Sequence, residues 1–157
     1  MKVIFLDIDG VLNTPTSKTR CGEYIGIDDD KTKLLADIVK RTNAEIALVS
    51  TWKKYWRKEE ALKPLQDRAA TYLDEKFKKF GIKASDKTKD KSDGKYLSRG
   101  EGILEYIERN KVEKYVIIDD IQFDYDGLGL TEHYIKTKQS EGLTTAQAEK
   151  ACEMLLK

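Results

Sequence analysis

Three apolar runs without polar alternation stand out along the chain, and each is followed by a residue capable of chemistry. Strands of a parallel sheet are buried on both faces and form continuous apolar runs, whereas half-exposed strands alternate. The pattern therefore predicts three strands of a parallel sheet with a polar group at the carboxyl end of each. The runs, with the residue that follows, are 3–6 with Asp7, 46–49 with Ser50, and 115–118 with Asp119.

Apolar residues at helical spacing lie between these runs. Residues 30–42 carry an apolar stripe behind an acidic start, and this combination predicts a helix. Capping boxes, in which Ser or Thr precedes Glu or Gln by three residues, predict two further helices. The two boxes are Ser98 with Glu101 and Thr144 with Gln147, and each precedes a segment with an apolar face.

The remaining segments have less regular patterns. Residues 53–80 predict helix in one or two pieces, with Pro64 as the break, because proline interrupts helical hydrogen bonding. Residues 82–84 and 134–136 are candidate edge strands, and residues 85–94 predict an exposed loop.

The alternation of strands and helices predicts an α/β fold with a single doubly wound parallel sheet, which forms one domain over residues 1–157. Ligands of such sheets bind beyond the carboxyl ends of the strands, where the three polar clusters fall. A helix and a strand use most of the chain between Asp7 and Ser50, which leaves a flap at residues 14–27 and no room for a large cap. The predicted site is therefore open to bulky substrates.

Composition excludes several classes of protein. The 29 Lys and Arg residues nearly balance the 28 Asp and Glu residues, so a net charge of +1 provides no global attraction to nucleic acid or membranes. The apolar runs are far shorter than the roughly 20 residues of a membrane helix. The first apolar run is followed by acidic residues, where a signal peptide needs small residues and a cleavage site. The two cysteines, Cys21 and Cys152, form no CxxC motif, so the sequence indicates neither a zinc site nor a disulfide framework. We therefore expect a cytoplasmic protein without a membrane partner.

The segment VIFLDIDGVLN carries the most specific chemical signal. In this segment Asp7 lies at the end of a predicted strand, Asp9 comes two residues later, and Gly10 lies where the chain must turn. Two carboxylates this close repel each other unless a cation lies beside them. Hard oxygen ligands suit Mg²⁺, which binds few protein carboxylates together with water and substrate phosphate. The spacing therefore indicates a magnesium site.

The sequence DIDGVLN resembles the DxDGxxN signature of the haloacid dehalogenase (HAD) superfamily. The other motifs of that superfamily correspond, in order, to Ser50, to the region of Lys95 and Arg99, and to the pair Asp119 and Asp120. The resemblance spans essentially the whole chain. It is closest to small capless members, namely the phosphatase domains of polynucleotide kinase/phosphatases and related domains of RNA-repair proteins. The segments that resemble this group are LVSTWK, SRGEGI, VIIDD and IKTKQSEGLT.

The resemblance implies a mechanism for phosphomonoester hydrolysis. Asp7 would be the nucleophile that forms an aspartyl-phosphate. Asp9 would protonate the leaving alkoxide and then activate water. Ser50 would donate a hydrogen bond to a phosphoryl oxygen, and the backbone amides of Gly10 and Thr51 would add donors.

Two assignments within this resemblance stay open. The cation that stabilises the phosphoryl oxygens is Lys95 or Arg99, and Arg99 is favoured because it begins the helix before the last motif. Either carboxylate of the acidic pair contacts the metal directly, while the other orients a metal-bound water. Asp9 would also face the metal through its backbone carbonyl. The implied ligands of Mg²⁺ are Asp7, Asp9, Asp119 and Asp120.

Residues 52–58, beside the predicted phosphate site, mix cations with aromatic rings. Such a mix binds phosphates and stacks bases on single-strand binding surfaces, so Trp52 and Lys53 are candidate substrate contacts. The spacing of Trp52 and Trp56 equally fits a helix whose aromatic side chains face the core.

The sequence thus predicts a Mg²⁺-dependent phosphomonoesterase that acts on the terminal phosphate of a nucleotide or nucleic acid. The alternative is a phosphatase of a small phosphorylated metabolite. A phosphate- or nucleic-acid-binding module with lapsed catalysis is a third hypothesis, which the intact Asp7 and Asp9 disfavour. A signalling receiver domain also uses an aspartate and Mg²⁺, but the N-terminal DxDG and the stretch from Ser50 to Trp52 argue against it.

Overall fold

A five-stranded parallel sheet forms the centre of the protein in a computed structural model that describes residues 1–157. All four neighbouring strand pairs are parallel, and the first strand of the chain lies in the middle. The order across the sheet is Ala84–Lys87, Glu45–Leu48, Lys2–Leu6, Lys114–Asp119 and Tyr134–Lys136. The predicted α/β class is therefore confirmed. In chain order, the strands of this sheet and of two small hairpins are β1 (Lys2–Leu6), β2 (Arg20–Cys21), β3 (Tyr24–Ile25), β4 (Glu45–Leu48), β5 (Ala84–Lys87), β6 (Lys91–Ser92), β7 (Lys95–Tyr96), β8 (Lys114–Asp119) and β9 (Tyr134–Lys136).

Four α-helices flank the sheet. Both predicted capping boxes are present, with side-chain and backbone hydrogen bonds made in each direction. None of the helices combines the length and hydrophobicity needed to cross a membrane. The helices are α1 (Asp29–Thr42), α2 (Arg68–Lys79), α3 (Arg99–Asn110) and α4 (Thr145–Leu156).

The continuous apolar runs arise because both faces of the sheet are covered. Ile4 and Leu6 of β1 belong to a large cluster that includes buried residues of α1, α2 and α4. Val3 and Phe5, which point to the other face, pack in a second cluster with α3. Full burial of one such side chain contributes roughly 1.5–3 kcal/mol to stability, so both faces favour apolar residues and no polar alternation remains.

The edges of the sheet differ in part from the sequence pattern. The strand predicted at 134–136 is confirmed as β9, whereas the other edge strand begins at Ala84 and extends into the predicted loop 85–94. The polar residues of β5 were missed because an edge strand pairs on one side only. In the segment 53–80, two helical pieces are present, but Pro64 does not divide them: it lies inside a 3-10 helix at Glu60–Leu65. The break falls at residues 66–67, just before α2, and residues 54–59 are not helical.

The flap at residues 14–27 forms the hairpin of β2 and β3, and no large cap is present. The amide nitrogen of Asn13 donates to the carbonyl oxygen of Gly26 at 2.8 Å. The Asp28 carboxylate, just before α1, accepts hydrogen bonds from the hydroxyls of Ser17 and Thr19. These contacts tie both ends of the flap to the helix and to the site described below.

Candidate active site

Three carboxylates meet where the central strands end. Asp7 follows β1, Asp119 ends β8, and Asp120 comes next along the chain. One carboxylate oxygen from each residue lies within 4.8 Å of the other two. Asp7 and Asp119 are buried and Asp120 is half-buried. The parallel register of β1 and β8 produces this convergence, because their carboxyl ends lie at the same edge of the sheet.

Arg99 is the cation that the fold brings to these carboxylates. As the first residue of α3, it places one guanidinium nitrogen 3.3 Å from Asp7 Oδ1 and 2.9 Å from Asp119 Oδ2. The guanidinium also lies over the ring of Phe123, 4.1 Å from its centroid. Lys95, the other candidate, is exposed on the hairpin strand β7 and does not line the cavity beside Arg99.

Asp119 has little capacity left for another ligand. Besides Arg99, its carboxylate accepts hydrogen bonds from the hydroxyl of Tyr125 at 2.7 Å and from the backbone N–H of Ile121 at 3.1 Å. It is completely buried. Asp119 therefore positions Arg99, and Asp120 is the more accessible member of the acidic pair.

Gly10 permits the close approach of Asp120. A Cβ atom at Gly10 would lie 2.3 Å from Asp120 Oδ2, and the residue has a φ of +81°. Both conditions exclude larger side chains without a shift of the carboxylate. The glycine that follows Asp9 in the sequence motif is thus explained by the close approach of Asp120 and by the positive φ.

The charges at this point are unbalanced. Burial raises the pKa of the Asp7 carboxyl well above its usual range, nearby Asp119 raises it further, and Arg99 only partly opposes them. Burial also raises the pKa of Asp120. One guanidinium faces three carboxylates, and every candidate donor is a hard oxygen. This donor set fits Mg²⁺.

Asp9 lies outside the trio of carboxylates. It is exposed, and its carboxylate accepts hydrogen bonds from the side-chain amide of Asn13 at 2.9 Å and from the indole N–H of Trp52 at 3.2 Å. Asn13 also accepts the backbone N–H of Gly10 at 3.0 Å, the amide that sequence analysis assigned to phosphate. Asn13 therefore fixes the turn that carries Asp9, a role that the last letter of DxDGxxN could have suggested.

The segment after β4 forms one wall of a cavity of about 320 Å³. Ser50 is buried, and its hydroxyl accepts the backbone N–H of Trp52, which begins a 3-10 turn at Thr51–Lys53. Ser50, Thr51, Lys53 and Arg99 line this cavity together. Four of the predicted site residues are thus brought into one space.

Lys53 has a structural environment that the sequence did not indicate. Its ammonium is buried, donates to the backbone carbonyl and hydroxyl of Thr88 at 2.8 and 2.9 Å, and pairs with Asp90 at 2.7 Å. Burial lowers the pKa of Lys53, while Asp90 opposes the shift. Lys53 therefore connects the segment after β4 to Thr88 and Asp90 and fixes this wall of the cavity.

The two tryptophans have different environments. Trp56 is 1% exposed, and its indole N–H donates to Asp74 at 2.9 Å. The core interpretation is therefore correct for Trp56, although it lies after the 3-10 turn and not in a long helix. Trp52 is half-buried and lies beside Asp9, so only Trp52 is placed to contact a substrate.

A basic groove adjoins the cavity. Eight of its 13 lining residues are Lys or Arg and three are Asp or Glu. It shares Lys53, Lys54 and Lys89 with the cavity of Ser50 and Arg99 and continues to Arg57. The nearly neutral chain thus concentrates positive charge next to the site.

Comparison with known proteins found one matching family. The model of a family described as the HAD domain in Swiss Army Knife RNA repair proteins matches residues 3–148. Among curated proteins, none matches the chain. The matched range contains every residue of the site described above.

Proposed function

The chain belongs to the family of HAD domains in Swiss Army Knife RNA repair proteins, and from this premise we propose that it is a Mg²⁺-dependent phosphomonoesterase acting on terminal phosphates of nucleotides or nucleic acids. The proposal rests mainly on one observation: buried Asp7 and Asp119 and half-buried Asp120 lie together at the carboxyl edge of the sheet, and Arg99 pairs with the first two. A nucleophile, a charge-balancing cation and a metal-compatible donor set are therefore close together.

In the first step, a carboxylate oxygen of Asp7 attacks the phosphorus of the monoester. An O–P bond forms to Asp7 while the bond between phosphorus and the leaving oxygen breaks. Asp9 gives its proton to that oxygen, so the product leaves as an alcohol. The hydrogen bonds from Asn13 and Trp52 hold the Asp9 carboxyl on the open side of the site.

In the second step, Asp9 acts as a base. Its carboxylate takes a proton from water as the water oxygen attacks the phosphorus of the aspartyl-phosphate. The bond from phosphorus to Asp7 then breaks, which releases inorganic phosphate and restores the Asp7 carboxylate. Asp9 ends the cycle protonated, ready for another substrate.

Residues that line the cavity of Ser50 and Arg99 bind the phosphoryl group. Arg99 donates to its oxygens while its pairing with Asp119 keeps the guanidinium in place. The Ser50 hydroxyl and the Thr51 backbone N–H are the candidate neutral donors. Asp7 and Asp120 would hold Mg²⁺, which supplies positive charge to the carboxylate and to the phosphoryl oxygens when bound.

The basic groove supports a nucleic-acid substrate over a small metabolite. Arg57 and Lys91 lie in the groove, are exposed and form no salt bridge. A strand that continues past the terminal phosphate would place its phosphodiesters against such side chains and release counterions. A small phosphomonoester has no phosphodiester backbone to contact these side chains.

Two further expectations belong to this proposal. We place the enzyme in the cytoplasm, because Cys21 and Cys152 are both free and buried, as a reducing compartment allows. We also treat residues 1–157 as one catalytic domain, because the two hydrophobic clusters share the central sheet.

The proposal is tested by phosphate release with and without Mg²⁺. The substrates are 3′- and 5′-phosphorylated oligonucleotides, the corresponding mononucleotides and a panel of sugar phosphates. We expect metal-dependent release from one type of oligonucleotide end. Asp7→Asn and Asp9→Asn serve as inactive variants, and Asp30→Asn, which removes an exposed carboxylate on α1, is the matched control with wild-type activity.

Each of the other outcomes would identify a different function. Phosphate release from small monoesters alone would identify the protein as a phosphatase of a small phosphorylated metabolite. No release from any substrate, despite Mg²⁺ binding, would indicate a binding module with lapsed catalysis. Near-normal rates from a pure preparation of Asp7→Asn would exclude Asp7 as the nucleophile.

A further inference from the structure

A second cavity, of about 520 Å³, opens on the Asp9 side of the site. The hairpin of β2 and β3 supplies one wall, and Thr51 and Trp52 supply another. The cavity contains neither Arg99 nor Lys53, which line the phosphate cavity. The mechanism proposed above assigns no function to this second space, although its volume is typical of small-molecule sites.

The second cavity has an aromatic lining that the fold does not require. Tyr24 lines it from the hairpin and is 77% exposed, so its ring is not part of the core. Trp52 lines it from the opposite segment, with its indole N–H bound to Asp9 and its ring near that of Tyr72. Half of the ten lining residues are hydrophobic. A flat apolar group would find aromatic partners here.

The polar residues at this cavity exclude a phosphate and fit a neutral ring with polar edges. Arg20 is outnumbered by Glu23, Asp67 and Asp9 among the lining residues. An anion would meet net negative charge, whereas a nucleobase presents apolar faces and an edge of hydrogen-bond donors and acceptors. The second cavity therefore suits a base, whereas the basic groove suits a phosphodiester backbone.

The position of Asp9 connects the second cavity to the leaving group. A general acid must lie within hydrogen-bond reach of the oxygen that it protonates, and Asp9 forms part of the cavity wall. The group that departs with that oxygen therefore occupies the adjoining space. Resting on the function proposed above, we propose that this cavity binds the nucleobase of the terminal nucleoside and that Tyr24 stacks on it and determines specificity.

The hairpin that carries Tyr24 is held in place before any substrate binds. Asn13 donates to Gly26 at 2.8 Å, and the Tyr72 hydroxyl accepts the backbone N–H of Ile27 at 3.1 Å. Tyr24 itself is paired with Cys21 across the hairpin. Because the backbone is fixed, stacking requires little ordering of the protein, which favours binding.

The test compares two substrates that differ only in the base. These are adenosine monophosphate and ribose phosphate, with the phosphate on the same hydroxyl, and both phosphate positions are assayed. In Tyr24→Ala, we expect kcat/KM for the nucleotide to fall about 10-fold, within the range of one base–aromatic stack. The value for ribose phosphate should stay within about twofold of wild type, since this substrate has no base to stack on Tyr24.

Two further variants separate stacking from a general structural effect. Tyr24→Phe keeps the ring and should retain nearly all of the preference for the nucleotide. Tyr96→Ala removes another tyrosine, 83% exposed, from the β6–β7 hairpin, and should leave activity on both substrates unchanged. Thermal melts of each variant check that the fold is intact. An unchanged ratio of nucleotide to ribose phosphate activity in Tyr24→Ala would overturn the proposal.

A binding measurement keeps this inference distinct from the proposed enzyme activity. If the protein hydrolyses no phosphomonoester, adenosine is titrated while tryptophan fluorescence is recorded. Quenching that is lost in Tyr24→Ala and kept in Tyr24→Phe would support the base site without catalysis, because Trp52 lines the same cavity. No quenching at millimolar adenosine would overturn the base site.

Discussion

The guanidinium of Arg99 and the carboxylate of Asp119 form an ion pair at 2.9 Å, and the carboxylate is completely buried. The same guanidinium nitrogen lies 3.3 Å from Asp7, the candidate nucleophile. A buried pair of this kind typically costs about 3–5 kcal/mol when one partner is removed, because the other charge stays buried and uncompensated. Arg99 therefore connects the stability of the fold with the chemistry of the site.

Replacement of Arg99 should affect both properties. We expect Arg99→Ala to lower kcat/KM by at least about 100-fold, as for the loss of a transition-state donor, and to lower the free energy of unfolding by about 3 kcal/mol. Lys95→Ala is the control, because Lys95 is exposed on β7, and it should match wild type in both measurements. The two readouts are steady-state kinetics and urea unfolding. A greater loss of activity in Lys95→Ala would reverse the assignment of the cation.

The two adjacent aspartates should respond differently to the same substitution. Asp120→Asn should raise the Mg²⁺ concentration needed for half-maximal activity about 10-fold or more, while stability changes little, because Asp120 is half-buried. Asp119→Asn should instead lower the free energy of unfolding by about 3 kcal/mol, because Arg99 loses its closest partner. Magnesium titrations of activity and urea unfolding measure the two effects. The reverse pattern would make Asp119 the direct ligand.

Much of the fold follows from local sequence, because the relevant interactions are local. The burial of both sheet faces produced the apolar runs of β1, β4 and β8, and the capping boxes fixed the starts of α3 and α4. The strand β5 was placed too early, since its Ser, Asp and Lys side chains lie at a sheet edge where burial does not select apolar residues.

The sequence predicted the motif residues of the site, but not the side chains that contact them. Asp7 and Asp119 converge because two parallel strands end together, which the sequence pattern indicates. The hydroxyl of Tyr125 and the ammonium of Lys53 acquire their roles only through contacts with Asp119 and Thr88. Those contacts depend on loop paths after the strands, for which no periodic signal exists.

The buried Asp7 carboxyl should make the metal-free protein sensitive to pH. Folding raises its pKa above the ordinary 3.8, so the folded protein holds a proton that the unfolded chain has released, and stability falls as pH rises above that value. We expect Asp7→Asn, which lacks this titration, to melt about 3 °C or more above wild type at pH 8 without metal, with the difference disappearing near pH 4. Thermal melts of both proteins at pH 8 and pH 4, in the presence of a chelator, measure this difference. An identical pH dependence in the two proteins would contradict the expectation.

Magnesium should reverse that effect in the wild type. At 100 times its dissociation constant, a ligand that binds only the folded state adds about 2.7 kcal/mol to the free energy of unfolding. We expect saturating Mg²⁺ to raise the melting temperature of wild type at pH 8, and that of Asp7→Asn much less, because one of the carboxylates is gone. Asp30→Asn, altered at an exposed carboxylate of α1, should respond to Mg²⁺ as wild type does. An equal shift in Asp7→Asn would place the metal elsewhere.

The basic groove should make activity on long substrates depend on salt. Arg57 and Lys91 line the groove but not the cavity of Ser50, so their replacement by Gln should spare mononucleotides. On phosphorylated single strands, we expect the double variant to lower kcat/KM and to reduce the slope of log(kcat/KM) against log[salt] by about 1.4, or about 0.7 per lost phosphate contact. The control replaces Lys40 and Lys150, exposed on α1 and α4, and should keep the wild-type slope. Equal slopes in both double variants would mean that the strand does not follow this groove.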